Sequence, residues 1–432
     1  MSIANPATAP RGGLLEVVER TAWRVPLPTR RFLVTLALAA AAALAASGVA
    51  AGWVASRNAA TIADAREQGL ELATAVSEFR TRLASADARA AGTLLAGGLE
   101  DPESRALYDE DLLAASHALT DAGLVATDED RDDITAMADG LLTYAGLVET
   151  ARANARQGFP VGASYLDEAR DLANRQLVPL AERQRRVGEQ RIARAANSVG
   201  GPLSGLAVLV MLAGLAVLVG CAVLLAGRTR RVVAHPALLV AVVIAIGTLV
   251  VVFLGISAQA RELRQAASGD IDAYVAANEA SSTLAGLRVT EISAVAARGS
   301  GGPLYADFAE RAAALTDGLT GDPGDRAGLA ELSQAVGAYT AAVEDIRQVD
   351  EGGDNREAAT LVQSTEPGGS AHAYQAADAI AAANVARDRA DLERRFEDAA
   401  GADLPPLLPV VLCGLAAVLA AAGTLARGRR YR

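Results

Sequence analysis

The sequence predicts an all-α integral membrane protein with four transmembrane helices and two tandem extracytoplasmic four-helix bundles. Three observations predict this fold: four long apolar runs, two long acidic segments between them, and a composition rich in helix formers. Hydrophobic residues make up 51% of the 432 residues but aromatic residues only 4%, so the apolar content is mostly Ala, Leu and Val. Ala and Leu favour helices, and no strand-like alternation of β-branched and aromatic residues occurs.

Each of the four apolar runs is long enough to cross a bilayer, which takes about 20 helical residues. Only five residues, 227–231, separate the two central runs, so these form a transmembrane hairpin. No ionisable residue lies well inside any run, which argues against a proton- or ion-coupled transporter. The predicted spans are residues 32–56, 203–226, 232–257 and 404–426.

Charge predicts the orientation of the spans. The tails 1–31 and 427–432 carry net charges of +3 and +4, and the tip 227–231 contains Arg228, Arg230 and Arg231. Basic residues in short loops mark the cytoplasmic side. We therefore expect a cell-membrane protein with both termini and the tip in the cytoplasm, and the three tip arginines become candidates for cytoplasmic coupling. The rival interpretation is a cleavable export signal, because two arginines precede the first apolar run.

The two long segments are predicted to lie outside. Residues 57–202 contain 16 Arg against 24 acidic residues, and residues 258–403 contain 12 against 25. Apolar spacing and Gly/Pro breaks predict four helices in each segment, which is typical of an up-down-up-down bundle. Because the first and fourth helices would join the spans directly, a shift at the far tip would reach the membrane as a helix displacement. The predicted helices are 57–96, 102–122, 128–156 and 163–202, then 258–298, 303–319, 324–349 and 355–402, the last interrupted at 366–369.

The unit of span, acidic segment and span occurs twice, which predicts an internal duplication. Spacing is conserved without a gap through the third predicted helix of each segment, where apolar positions step by three and four residues. At an offset of 195, Asp130-Arg131, Tyr144, Glu149 and Arg152 align with Asp325-Arg326, Tyr339, Glu344 and Arg347. Upstream, Leu83, Asp87 and Gly97-Gly98 align with Leu287, Glu291 and Gly301-Gly302.

The polar members of this repeated pattern are the candidate site residues. The Glu and Arg are three residues apart and can pair on one helix face. A tyrosine at a core position needs a partner for its hydroxyl. Two interpretations stay open: the residues brace the bundles, or they line a surface that responds to a ligand or partner. The candidates are Tyr144, Glu149, Arg152, Tyr339, Glu344 and Arg347.

Enzyme signatures are absent from the sequence. It has no phosphate-binding loop, no H-E-x-x-H and no C-x-x-C, and its three histidines lie in three different segments. An acidic run from Asp128 to Asp139 matches four positions of a calcium loop, but Asp133 occupies the position that requires Gly, which favours a solvated helix start. We expect no enzymatic activity, no cofactor, no metal site and no nucleic-acid partner.

A helical bundle whose outer helices continue into the membrane resembles the four-helix-bundle sensor of methyl-accepting chemoreceptors, which work as homodimers. Here two bundles in one chain would form a covalent pseudodimer. The whole layout, with four spans, duplication and an Arg- and Ala-rich composition, resembles the actinobacterial GlnX family of four-span membrane proteins. That resemblance implies a glutamine-binding lipoprotein outside and the Ser/Thr protein kinase G inside as partners. It assigns no functional residues.

The function expected from these features is transmembrane signal transduction. The cytoplasmic segments are too short for a kinase, cyclase or DNA-binding domain, so the output must pass to a separate protein. Arginines of the tails would contact membrane lipid. Two alternatives remain: a direct sensor that binds a small molecule in or between its bundles, and a structural scaffold of the cell envelope.

Overall fold

The computed structural model describes residues 29–92, 102–157, 159, 161–229, 236–320, 327–402 and 405–428. This part of the chain is all-helical and contains no strand. Three π-helical turns, Ala65–Glu71, Ala173–Leu177 and Ala266–Asp270, interrupt the α-helices. The α-helices are α1 Thr29–Asp64, α2 Leu72–Gly92, α3 Pro102–Val125, α4 Arg131–Arg156, α5 Val161–Leu172, α6 Val178–Ser198, α7 Pro202–Thr229, α8 Pro236–Gln265, α9 Ile271–Ala296, α10 Gly302–Thr320, α11 Ala327–Glu351, α12 Asn355–Gln363, α13 Ser370–Gly401 and α14 Leu407–Gly428.

Four helical stretches, which include α1, α7, α8 and α14, are long and apolar enough to cross a membrane, so the chain is a membrane protein. They correspond to the four predicted apolar runs. Outward-facing Leu and Val side chains along these helices suit a lipid environment, because hydrocarbon imposes no penalty on exposed apolar surface.

The apolar helices belong to one compact unit, whose described residues are 29–59, 198–229, 236–259, 402 and 405–428. Helix α1 packs closely on α14 through Gly48 and Gly52. A Cβ atom at Gly48 would lie 2.8 Å from Cys413 Cβ, and one at Gly52 would lie 2.7 Å from the Pro406 carbonyl oxygen. This Gly-x-x-x-Gly pair, which the sequence reasoning overlooked, lets the two backbones approach. Gly214 on α7 also lies against Ser47 on α1, whereas a Cβ atom at Gly220 or Gly247 would meet nothing within 4 Å.

The described residues within 60–197 and 260–401 form the second compact unit. It has two hydrophobic cores. The first is built from α2 to α6 with Phe79, Tyr108 and Tyr144 fully buried, and the second is built mainly from α9 to α13 around Phe308 and Tyr339. Each core receives one apolar face from every long helix around it, as the three- and four-residue spacing predicts.

One part of the predicted helix connection is wrong. The first helix of each acidic segment does join its span: α1 passes through the π turn 65–71 into α2, and α8 passes through the π turn 266–270 into α9. The fourth helices do not. Helix α6 ends at Ser198, and a turn with Gly200 at φ 77° precedes α7; α13 ends at Gly401, before α14 begins at Leu407. Glycine and proline at these joints favour a turn over continued helix.

Other boundaries differ by a few residues. The acidic stretch 128–130 is a turn before α4, in which Asp130 Oδ2 accepts hydrogen bonds from the backbone amide and hydroxyl of Thr127. The last helix of the second segment is divided between Gln363 and Ser370, around the predicted break. Gly97-Gly98, Asp325-Arg326, residues 1–28 of the N-terminal tail and Arg429 to Arg432 lie outside the described residues.

Candidate functional site

The two candidate tyrosines are core residues. Tyr144 on α4 and Tyr339 on α11 are both completely buried. Each hydroxyl donates to a buried carboxylate of the same segment. Tyr144 donates to Asp87 on α2 at 3.2 Å, and Tyr339 donates to Glu291 on α9 at 2.6 Å. Burial, and then the neighbouring carboxylate, raise the pKa of both tyrosines well above the usual range. Both therefore remain protonated donors at neutral pH.

Glu291 is the centre of a larger polar cluster in the second core. It is fully buried, and its Oε2 accepts from Arg288 Nη1 at 2.7 Å as well as from Tyr339. Its Oε1 accepts from the Ser370 hydroxyl at the start of α13. Arg288 Nη2 donates to the Val362 carbonyl at the end of α12, at 2.7 Å. The cluster thus ties α9 and α11 to the break between α12 and α13.

Charges in this cluster are balanced. Burial alone would lower the pKa of Arg288, but Glu291, together with Tyr339 and Tyr374, outweighs burial and raises the pKa. The guanidinium also lies 5.5 Å from the ring centroid of Tyr374, which packs edge-on against Tyr339. A buried ion pair with its hydrogen bonds satisfied favours one arrangement of the surrounding helices. The cluster's geometry suits a brace and offers no acid or base free for chemistry.

The corresponding cluster in the first core takes its arginine from a different helix. Arg170 on α5 donates from Nε to Asp87 Oδ2 at 3.1 Å, and Tyr144 bonds the other oxygen. Burial raises the pKa of Asp87, and Arg170 opposes that rise. Each core therefore has its own tyrosine–carboxylate pair. The arginine that balances the carboxylate comes from α5 in the first core and from α9 in the second.

The Glu and Arg candidates lie in unlike environments. Arg152 is buried, pairs with Glu149 at 2.9 Å, and places its guanidinium 3.9 Å from the ring centroid of Tyr108. Glu344 and Arg347 form a bidentate pair on the surface, with Arg347 also reaching Glu351. The aligned pattern therefore does not form one site, because the tyrosines face the cores while the second Glu–Arg pair faces solvent.

A seam between α2 and α9 joins the two segments of this unit. Thr81 donates to Asn278 Oδ1 at 3.2 Å, and Arg389 on α13 lies 3.5 Å from Glu78. Other buried hydroxyls on α2 bond to their own helix: Ser77 donates to the Ala73 carbonyl at 2.7 Å. Tyr274 on α9 also donates to the Thr74 carbonyl on α2 at 3.4 Å, so the seam is partly polar, and the described residues form few hydrogen bonds across it.

Sequence reasoning missed three members of these clusters: Arg170, Arg288 and Ser370. Asp87 and Glu291 carried a signal, because they align between the two segments as acids at otherwise apolar positions. Their partners lie elsewhere in the chain, and the two arginines do not align with each other.

The predicted coupling arginines cannot be placed. The side chain of Arg228, at the end of α7, and all of Arg230 and Arg231 lie outside the described residues. Within the described ranges, no group of three or more His, Cys, Asp or Glu is arranged to hold a metal ion. A small crevice among Ala51, Ile256 and Pro409 in the apolar unit has room for little more than one water molecule.

Comparisons with known proteins bear on the first segment. Residues 58–197 match a family model described as an actinobacterial sensor domain. No curated protein and no solved structure gives a significant match. The matched stretch covers α2 to α6, including the Asp87–Tyr144 pair and half of the seam. The chain is thus similar, over residues 58–197, to an actinobacterial sensor domain, and this supports a sensing or signalling role.

Proposed function

We propose that this chain is a non-enzymatic transmembrane signal transducer of the cell membrane, with sensing bundles outside and both termini in the cytoplasm. The similarity of residues 58–197 to an actinobacterial sensor domain is the observation that carries the proposal. The basic tails and tip support the orientation through the bias of cytoplasmic loops towards Arg.

Contacts in the two cores support an internal duplication that produced two tandem four-helix bundles. Asp87 and Glu291 align in sequence, as do Tyr144 and Tyr339, and the aligned residues make the same tyrosine–carboxylate contact. Chance alignment of unrelated helices gives no reason for the partners to correspond. The second segment would then be a diverged sensor bundle of the same origin as the first.

Signal transmission would use the first helix of each bundle. Helical structure is continuous from α1 to α2 and from α8 to α9, whereas turns precede α7 and α14. The two first helices also meet along the seam at Thr81 and Asn278. A change at the seam would therefore pass along unbroken helix towards the spans, as in helix-shift switches.

The sensed partner in this proposal is an extracytoplasmic solute-binding lipoprotein loaded with an amino acid, and the output partner is a separate cytoplasmic Ser/Thr kinase. Support comes from the resemblance to the GlnX family, whose layout the four apolar helices share. The long helices of the second unit present extended surface suited to a protein partner, while its described residues enclose no metal cluster.

The proposal can be tested by disulfide crosslinking in membranes. The full chain, with Cys221→Ala and Cys413→Ala, would carry Thr81→Cys and Asn278→Cys across the seam. A matched control pair, Arg105→Cys and Glu149→Cys, lies within the first core's own helices, where the native side chains form an ion pair at 3.0 Å. Crosslinking rates would be compared with L-glutamine alone, with a purified glutamine-binding lipoprotein, and with both together.

The transducer proposal expects the seam pair to change rate only when lipoprotein and glutamine are both present, while the control pair stays constant. A change in the seam crosslinking rate with glutamine alone would indicate a direct small-molecule sensor in place of a sensor of the lipoprotein. Equal rates under every condition would favour an envelope scaffold and contradict sensing through this partner.

A further inference from the structure

Two of the three π turns lie in the first helix of a bundle, Ala65–Glu71 between α1 and α2 and Ala266–Asp270 between α8 and α9. A π turn contains one residue more than the α-helical turn it replaces, and such turns are frequent at functional sites. Moving that residue along the helix, or absorbing it, changes the register between the helical parts on either side. One residue corresponds to about 100° of rotation and about 1.5 Å of rise.

In the first bundle an arginine of α6 binds this turn directly. Arg191 Nη1 donates to the carbonyl of Gln68, inside the turn, at 3.0 Å. Its Nη2 donates to Asp130 at 2.8 Å and to the Thr127 hydroxyl at 3.0 Å. The Arg191 side chain is 13% exposed and that of Asp130 only 3%. Arg191 therefore holds this turn in two ways: it forms a buried ion pair with Asp130, and it donates a hydrogen bond to the backbone of the turn.

Backbone packing closes the remaining space around the first turn. A Cβ atom at Gly69 would lie 2.9 Å from Ile192 Cγ1 and 3.2 Å from the Gly188 carbonyl oxygen. A Cβ atom at Gly188 would lie 2.6 Å from the Gly69 carbonyl oxygen. Any change of register would bring a side chain to the position of Gly69, where it would collide with α6.

The second bundle has an arginine in the corresponding place, but it holds the π turn through more exposed contacts. Arg395 on α13, 204 residues after Arg191, donates to Asp270 at 3.0 Å and to Glu262 at 3.1 Å. Glu262 lies before the turn and Asp270 is its last residue, so the arginine bridges the turn. Its side chain is 39% exposed, and a Cβ atom at Gly269 would meet nothing within 4 Å. Exposed ion pairs are weak because water screens the two charges.

We propose that the π turn at Ala266–Asp270 is a register switch, which Arg395 holds and whose release rotates the membrane-proximal part of α8 against α13. The π turn at Ala65–Glu71 is the fixed reference, because Arg191 and the Gly69–Gly188 contact lock it. The two bundles are then unequal: one is rigid and the other moves. This inference depends on the proposed function for its purpose, since a register change is useful where α8 carries a signal.

The test uses double electron–electron resonance on the full chain in lipid nanodiscs, with Cys221→Ala and Cys413→Ala. Spin labels at Arg261→Cys and Asp398→Cys report the second bundle, and labels at Ala60→Cys and Arg194→Cys report the first; all four positions are exposed. We expect Arg395→Ala to add a second distance in the 261–398 pair, displaced by up to about 8 Å for a 100° rotation of a label at the helix surface. Arg191→Ala should leave the 60–194 distance unchanged.

Deletion of Gly269 distinguishes a register switch from a general loss of packing around the π turn. Deleting Gly269 removes the extra residue, so α8 and α9 would continue as ordinary α-helix in their parent register. We expect Arg395→Ala combined with this deletion to return to the single parent distance. If Arg395→Ala prevents folding, Asp270→Asn weakens the same bridge and should give a smaller second population.

An unchanged distance in both Arg395→Ala and Asp270→Asn would overturn the proposal. So would a second distance that persists after Gly269 is deleted, or an equal displacement in the first bundle with Arg191→Ala. None of these measurements involves a ligand or partner. If the spin-label distances show the switch but the lipoprotein does not change the seam crosslink, the proposed partner is refuted and the switch stands. If the lipoprotein changes the seam crosslink but the spin-label distances stay unchanged, the switch is refuted and the proposed partner stands.

Discussion

The hydroxyl of Tyr339 donates a 2.6 Å hydrogen bond to the carboxylate of Glu291, across the buried centre of the second core. Neither group can reach water, because both side chains are completely buried. Tyr144 and Asp87 make the same contact at 3.2 Å in the first core, where Asp87 also binds Arg170. This contact is the clearest common feature of the two cores, and it connects two residues 48 positions apart in the second.

Tyr339→Phe should destabilise the protein by about 1–3 kcal/mol, because one acceptor site of a buried carboxylate loses its donor. Thermal unfolding of the full chain in detergent, followed by circular dichroism, measures the effect. Tyr144→Phe is the matched comparison and should cost less, since the longer bond is the weaker one. A Tyr339→Phe protein as stable as the parent would show that the hydroxyl does not support the core.

Arg288→Ala should be strongly destabilising, by about 3–5 kcal/mol, because it leaves Glu291 buried without a counter-charge. Arg347→Ala is the control, since Arg347 lies on the surface and its loss should leave the melting temperature nearly unchanged. Replacing both members of the buried pair, Arg288→Met with Glu291→Leu, should recover much of the lost stability. Equal effects of Arg288→Ala and Arg347→Ala would contradict the role given to the buried cluster.

The stability of the first acidic segment should fall in acid because Asp130 loses its charge. Burial alone would raise the pKa of Asp130, but hydrogen bonds from Thr127 and Arg191 outweigh burial and lower it. A carboxylate with a lowered folded-state pKa stabilises the fold above its unfolded-state pKa, about 3.9, and this contribution is lost as pH falls through the lower, folded-state pKa. The difference in melting temperature between parent and Asp130→Asn should be large at pH 7 and vanish near pH 2. A constant difference would refute this linkage.

Gly48→Leu should disrupt the packing of α1 on α14 and cost about 1–3 kcal/mol, because the added side chain would collide with Cys413 and the Pro409 carbonyl. Gly414→Leu is the control on α14 itself, where an added Cβ would meet nothing within 4 Å. Retention of the monodisperse peak after stepwise heating, read by size-exclusion chromatography, compares the two. A Gly414→Leu protein as damaged as the Gly48→Leu protein would argue against this helix contact.

Several features were predictable from sequence for a local reason. Spans, acidic segments and the main helix breaks depend on hydropathy, charge and Gly/Pro placement within short windows, so the runs near α1, α7, α8 and α14 were recognised. The division between Gln363 and Ser370 was also foreseen from its Pro-Gly-Gly stretch. The turn at Gly200 was overlooked because the apolar pattern resumes at once, although two adjacent glycines and a proline mark the joint.

The candidate site was only partly predictable. Alignment singled out the two tyrosines and, separately, the two acids, but nothing in a linear pattern says that a residue on α4 bonds one on α2. Arg170 and Arg288 show the limit most clearly, since the two cores obtain the same counter-charge from different helices. The π turns gave no sequence signal, because no residue pattern is common to them: two of the three contain one glycine and Ala173–Leu177 contains none.

By itself the sequence determined that this is a helical membrane protein with four apolar helices and two long acidic segments between them, because hydrophobicity and helix propensity act over a few neighbouring residues. Only the tertiary structure decided which polar groups meet: Tyr339 with Glu291, Arg191 with the carbonyl of Gln68, and Gly48 with α14. Those contacts join positions far apart in the chain. They depend on how whole helices pack, which no local pattern records.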